Sequence, residues 1–388
     1  VNSQKKILVL SPFFYPEPIS TGKFNTDFVV SLQKKGHNVT VLCFHPFYPD
    51  WSIKKSQKTL KGIEIVRGGK NLFFTKKTLI RRLILEISFA FFILRNLKKH
   101  QLNKDIIIPV FPPSFAYFVI LPFIKKSIKK VGMVHDLQEV YANQKKGVIN
   151  RLVNTFIHKV ENKCYNNCDK LIFLSNEMKS VAKKLYNLEE SKLEIQYPFV
   201  TMGKIVTNNL NSILSKDKIN IVYSGALGEK QNPFKLLEFF DTSSRKIKNS
   251  KYHIFSQGSF FEKLKDNNTN SNIKFHNLVK RECLEELYAK STVQIIPQKE
   301  HTSKGSLPSK LPNLLASNCK ILVITDPNSE IEHLFLDNKL KAVSTSWDLS
   351  ELVKKLEEII DTKVDFNHQN KIANSLFTLD EMIRKILH

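Results

Sequence analysis

Two lysines stand where linked phosphoryl groups could be held. Lys230 lies in "VYSGALGEKQ" (222–231), where Gly225 and Gly228 would let the main chain approach a bound molecule closely and the lysine would bring a mobile ammonium. Lys310 lies in "GSLPSKLPNLLAS" (305–317). There Ser306 suits a helix N-cap, and Pro308 suits the first helical position, since it lacks an N–H and has a helical φ. A helix start exposes N–H groups and a partial positive charge, both suited to phosphate. A lysine in that first turn opposes the helix dipole unless an anion sits beside it. An ordinary surface lysine at an ordinary helix start is the competing explanation.

Elements that would position these residues follow from the apolar pattern. "KKILVLS" at the start predicts a strand, followed by a long Pro-rich loop, a helix over 21–35 stopped by Gly36, and a second strand. Further strands are predicted over 63–67, 105–110, 131–135 and 170–175. After Pro198 the polar, Asn-rich stretch 199–218 suggests a linker. The alternation then restarts with "INIVYSGAL", "YHIFSQGS", "IKFHNL", "VQIIPQ", "CKILVIT" and "KAVST". This predicts an α/β protein of two doubly wound, Rossmann-like domains, 1–200 and 201–368, followed by an amphipathic helix in 369–388. Ligands of such sheets bind beyond the carboxyl ends of strands, where both lysines fall, so the two could converge on one diphosphate. Neither domain has GxGxxG after its first strand, which argues against a nicotinamide-binding domain.

Composition narrows the class. With 388 residues, 42% hydrophobic and 25% charged, the chain is that of an ordered globular protein. Its five cysteines form no disulfide pattern, and Cys164 and Cys168, four apart on a predicted helix, lack the further ligands a zinc site needs. No metal site is expected. The formal charge is +24, of which residues 1–200 carry +19 and the remainder +5. A basic half of this kind favours nucleic acid, phosphate-bearing small molecules or an anionic membrane face. The stretch 79–97, "LIRRLILEISFAFFILRNL", carries Arg81, Arg82, Glu86 and Arg95 and is too short and too charged to span a bilayer. Two readings stay open for it: a helix lying in the membrane interface, or a buried domain helix. "VILPFIKKSIKK" (119–130) repeats the pairing of an apolar run with lysines.

The order and spacing of "YSGALGEKQ", "IFSQG", "ELYAKSTVQIIPQ" and "PSKLPNLLASNCKILV", with "ILVLSPFFYPEPISTGKF" and "HPFYPDW" near the start, resemble glycosyltransferase family 4 of the GT-B fold. The likeness is to bacterial enzymes of O-antigen, capsule and colanic-acid assembly, in a fucosyl- or N-acetylfucosaminyltransferase-like subgroup. It implies an acceptor-binding N-terminal domain, 1–200, and a nucleotide-sugar-binding C-terminal domain, 201–368, facing across a cleft that closes to exclude water, with the last helix, 369–388, packing back toward the N-terminal domain. It also implies a nucleotide-diphospho-sugar donor, UDP- or GDP-linked, with no other cofactor and no essential metal. Transfer would retain anomeric configuration through front-face attack. Lys230 and Lys310 would neutralise the departing diphosphate, Gly258 would line the nucleobase side, and His135 would face the transferred sugar. Gly22, Gly225, Gln231, Ser309 and Asn313 complete the implied donor site, Gly22 by close backbone approach to the donor or the acceptor. Asp136 and Gln138 are weaker candidates. The family's glutamate pair falls on Gly305 and Asn313, so Asn313 would offer the ribose a neutral amide, and Glu330 is assigned to the surface.

Acceptors of such enzymes imply an undecaprenyl-diphosphate-linked oligosaccharide at the cytoplasmic face of the bacterial inner membrane, with the basic half holding the protein there peripherally. A UDP-sugar 2-epimerase of the same fold is the alternative, needing carboxylates such as Asp136, Glu139 or Glu300 for acid/base work. A basic nucleic-acid binder is the other. That reading is disfavoured because the lysines are scattered rather than interleaved with aromatics on one face.

Overall fold

The computed structural model describes residues 4–17, 19–75, 77–138, 148–200, 209–302 and 307–388. The chain divides into two compact units, Val1–Tyr197 with Leu379–His388, and Pro198–Thr378.

In the first unit, strands β1 (Lys6–Leu10), β2 (Asn38–Phe44), β3 (Ile63–Gly68), β4 (Ile106–Phe111), β5 (Lys129–Val134), β6 (Lys170–Phe173) and β7 (Leu193–Ile195) form one sheet in the order 3-2-1-4-5-6-7. Every pairing is parallel. Parallel strands are covered on both faces, and β4, IIIPVF, is accordingly buried throughout. Helices α1 (Ser20–Lys34), α2 (Thr78–His100), α3 (Ser114–Ile120), α4 (Val148–Asn166) and α5 (Asn176–Tyr186) connect the strands. On α2, Leu85, Phe89, Ile93 and Leu97 recur at every fourth position and are buried in the core. Ile80, Leu83, Ile87 and Phe91 of the same helix are exposed, Phe91 by 65%. One face of this stretch is therefore core, as in a domain helix, and the other is apolar surface. No helix among the described residues is long and apolar enough to cross a membrane. All five cysteines are free and buried.

The second unit holds β8 (Ile219–Ser224), β9 (Ser250–Phe255), β10 (Ile273–His276), β11 (Val293–Pro297), β12 (Lys320–Ile324) and β13 (Val343–Ser344), ordered 10-9-8-11-12-13 and all parallel. Its helices are α6 (Pro233–Lys246), α7 (Ser259–Asn267), α8 (Leu284–Lys290), α9 (Leu311–Leu315), α10 (Glu330–Asp337), α11 (Leu349–Asp361) and α12 (Phe366–Leu376). In each sheet the first strand lies between the second and the fourth, so the winding reverses at β1/β4 and again at β8/β11. Crevices for ligands open at such reversals.

Three expectations need correction. The terminal helix is two helices: α12 belongs to the second unit, and α13 (Leu379–Leu387) belongs to the first, where Asp380 pairs with Lys35 at 2.8 Å and Lys385 Nζ donates to the Ile195 carbonyl at 2.6 Å. The later part of the supposed linker is fastened down, since Leu210 and Leu214 are buried and the N–H groups of Asn209 and Leu210 donate to the Glu286 carboxylate at 3.2 Å; residues 201–208 lie outside the described residues. Pro308 does not open a helix: α9 begins at Leu311, Lys310 occupies its N-cap position, and the proline in its first turn is Pro312. Ser306, the expected cap, and Gly305 lie outside the described residues.

Candidate active site

The second sheet's reversal point carries Lys310. The register of β8 with β11 runs through Ile221–Val293 and Val222–Gln294. Just past this pairing, Lys310 Nζ donates to the Ile295 carbonyl at 2.7 Å and the Ser224 carbonyl at 3.2 Å, and lies 4.3 Å from the centre of the Tyr223 ring. The ammonium thus ties the two strands together where their ladder ends. Burial pulls its pKa down to about 7. A phosphoryl anion arriving beside it would restore the charged form.

β8 then leads directly into Gly225, whose φ of +131° is open to glycine and strained for other residues. A methyl group built on it would touch no protein atom within 4 Å, so the conformation and not crowding requires the glycine. The loop is held from within: Gly225 N–H donates to the Phe255 carbonyl at 3.0 Å, Tyr223 Oη to the Ala226 carbonyl at 2.6 Å, and Gly228 N–H to Gln231 Oε1 at 2.9 Å. Gln231, expected at the donor, therefore shapes the loop with its amide oxygen. Lys230 sits in the exposed turn Glu229–Gln231; its carbonyl accepts the Lys299 N–H at 2.8 Å, while Lys299 Nζ pairs with Glu229 at 2.7 Å. Gly258 has φ +100° at the N-cap of α7, again with no atom within 4 Å of an added methyl. Ser309 is exposed, and Asn313 is buried on α9. Lys310, Lys230, Gly225 and Gly258 thus share the carboxyl edge of one sheet. The helix start invoked for phosphate is replaced by a lysine propped on strand carbonyls.

His135 follows β5 in the first unit. Its N–H continues the ladder to the Phe111 carbonyl at 2.9 Å, and its ring meets Phe24 edge-on at 4.7 Å. Burial pulls its pKa down to about 4, so the ring is neutral at pH 7, and Nε2 is closed off from solvent without a hydrogen-bond partner. Gly22 lies in the first turn of α1, where an added methyl would come within 3.0 Å of Glu17 Cβ and 3.1 Å of its carbonyl oxygen. The approach that excludes a side chain at Gly22 is thus to the chain's own Glu17. That buried carboxylate, raised in pKa by desolvation, accepts the N–H groups of Phe47 and Tyr48 at 2.9 Å. Asp136 Oδ1 accepts the Leu137 N–H at 3.1 Å, and Gln138 Nε2 donates to Glu86 at 3.0 Å. Of the other carboxylates considered, Glu300 is exposed and paired with Lys235 at 3.0 Å, and Glu139 lies outside the described residues. Sequence reasoning missed Tyr223 and the two carbonyls under Lys310, because main-chain acceptors carry no residue signature.

The two parallel sheets, each reversing its winding once, agree with what comparison with known proteins finds. The Glycosyltransferase Family 4 pattern matches residues 22–203 and the Glycosyl transferases group 1 pattern matches 207–375. The chain belongs to glycosyltransferase family 4. It is similar to WcaI, a putative colanic acid biosynthesis glycosyl transferase of Escherichia coli (strain K12), with 25% identity over 357 residues and 85% of each chain covered. Among solved structures it resembles WaaG, a glycosyltransferase involved in lipopolysaccharide biosynthesis (TM-score 0.68, 13% identity, 98% of this chain and 99% of that one). It also resembles the sucrose-phosphate synthase of Thermosynechococcus elongatus (TM-score 0.69, 11% identity, 99% and 97%). At these identities the two structures bear on the fold alone.

Proposed function

We propose that the protein moves a sugar from a UDP- or GDP-linked donor, with retention of configuration and without an essential metal, onto a lipid-diphosphate-linked oligosaccharide during surface polysaccharide assembly. The observation that carries the donor half is the Lys310 ammonium at the β8/β11 reversal, beside the left-handed Gly225. A leaving diphosphate needs fixed positive charge more than it needs an acid, and a lysine held by carbonyls costs little reorganisation when that charge develops. Lys230, Gly258 and Asn313 are assigned to the same donor. Likeness to a protein named for colanic acid biosynthesis supports the surface-polysaccharide setting.

Support for a membrane-borne acceptor comes from the surface of the first unit. The exposed stripe of α2 is accompanied by Leu152, Val153 and Phe156 on α4 and by Phe123, while Arg95, Lys98, Lys99, Lys125 and Lys126 are exposed on the neighbouring turns. Phe115 of α3 meets Phe156 at 5.9 Å, joining the helices along this side. Apolar side chains among basic ones suit the cytoplasmic, anionic leaflet of the inner membrane. Incubating the purified protein with UDP- and GDP-sugars, including fucose-type donors, and following both thermal shift and product would test the reading. Conversion of donor to an isomeric sugar nucleotide without acceptor would replace it with 2-epimerisation.

A further inference from the structure

Helix α9 carries Lys310 at its N-cap position and Asn313 within its first turn, so the place of this helix decides the place of both groups. It is poorly equipped to hold itself. Five residues are too few to form a helix alone in water, and Pro312 has no N–H to give. All five are buried, but apolar packing is non-directional and does not by itself fix how the helix is turned.

The first turn of α12 supplies a directional hold. Gln369, buried there, donates from Nε2 to the carbonyls of Leu314 at 3.3 Å, Ser317 at 3.0 Å and Cys319 at 3.2 Å. One amide thus ties the body of α9 to the residue that precedes β12. From there the path to the lysine is short: Leu314, whose carbonyl receives Gln369, sends its own N–H to the Lys310 carbonyl at 3.0 Å. Lys310 is therefore stretched between two fixtures, the Ser224 and Ile295 carbonyls at its ammonium and α9 at its main chain. The neighbours of Gln369 fasten elsewhere. His368 Nε2 lies 2.8 Å from the Asn338 carbonyl, just beyond α10, and Asn370 Nδ2 donates to Asn318 Oδ1 at 3.3 Å.

Resting on the reading of Lys310 as the group that meets the donor's diphosphate, we propose that Gln369 is a positioning residue for the transfer, which fixes α9 and through it the place of the Lys310 ammonium. Its chemistry suits the task. The side-chain amide carries two protons that three carbonyls can share, and a side chain one methylene shorter would not reach all of them.

A test must read the lysine and not the fold. Binding of UDP and of GDP is followed by calorimetry from pH 6 to 9 in the wild type and in Gln369→Met, Gln369→Asn, Asn370→Ala and Lys310→Met, with thermal melting as the check on folding. In the wild type, affinity should fall as pH rises through about 7, where Lys310 loses its proton. Among the described residues, Tyr223 and Cys319 are the other titrating groups beside that ammonium; burial pushes both up, the thiol to about 12, so neither changes charge in this range. Freed from its buried place, Nζ would regain water and with it a higher pKa. Gln369→Met, of similar size but without donors, is expected to weaken nucleotide binding at pH 7 about tenfold and to move the midpoint of the pH curve up by about one unit. Gln369→Asn should move it the same way by less, and carries the test if the methionine variant does not fold. Asn370→Ala, on the same turn, should leave the midpoint in place. A merely structural glutamine would lower melting and leave the midpoint at its wild-type value. That result in the folded variants, or an equal shift in Asn370→Ala, would overturn the assignment. The donor reading fails separately, if the wild type binds neither nucleotide or if Lys310→Met keeps full affinity.

Discussion

The two sheets reverse their winding in the same way, yet their carboxyl edges are finished with opposite chemistry. On the second, a lysine is pinned to strand carbonyls beside glycines at φ +131° and +100°. On the first, burial leaves His135 neutral and raises Glu86 toward neutrality. Topology thus fixes where a ligand can sit, and the residues placed there decide which one. The formal charge misleads on this point. Residues 1–200 hold most of the excess, but the lysine built into a strand edge belongs to the half that is nearly balanced.

The largest effect should come from removing that lysine. Lys310→Met is expected to lower turnover about 10²–10³-fold in a donor-consumption assay. Because it removes two hydrogen bonds to strand carbonyls, calorimetry should also show a loss of about 1–3 kcal/mol. Undiminished turnover would remove Lys310 from the donor site. His135→Ala should reduce turnover about 10²-fold with a smaller change in donor affinity. Equal losses in both would mark His135 as a packing residue, and the edges would then differ less than supposed. Donor affinity should also weaken as pH rises through about 7, because the anion binds the protonated Lys310 and protonation is lost above that value. Calorimetric titrations from pH 6 to 9 should show this slope in the wild type and not in Lys310→Met. Gly225→Ala is expected to cost about 1–3 kcal/mol by forcing alanine to a strained φ, measured by denaturant unfolding. The smallest change to the fold should follow Phe91→Ser, which ought to leave melting within about 0.5 kcal/mol. It should nevertheless weaken sedimentation with anionic vesicles about tenfold or more.

Much of the sheet structure was legible because parallel strands are buried on both faces and appear as unbroken aliphatic runs such as IIIPVF and KILVI. Short elements were not. Helix α9 spans five residues, too few for a period, so Pro308 seemed to start it when Pro312 lies in its first turn. The join between α12 and α13 escaped periodicity because Phe377 there is buried, and its carbonyl accepts the Val200 N–H at 3.0 Å, a contact distant in sequence. The two lysines and His135 were visible as motifs. The hold of Gln369 on α9 was not, since its acceptors are main-chain carbonyls lying 50 to 55 positions earlier in the chain.

An ammonium has three protons, and in Lys310 two point at fixed backbone oxygens. The third direction is therefore set by the sheet and not by the side chain's own rotation. An incoming oxyanion would meet a cation that accepts approach along a single line. Arginine delivers its donors in one plane and so would not reproduce a tripod with two legs on the strands and one left for the anion, which makes the choice of lysine at this place a stereochemical one.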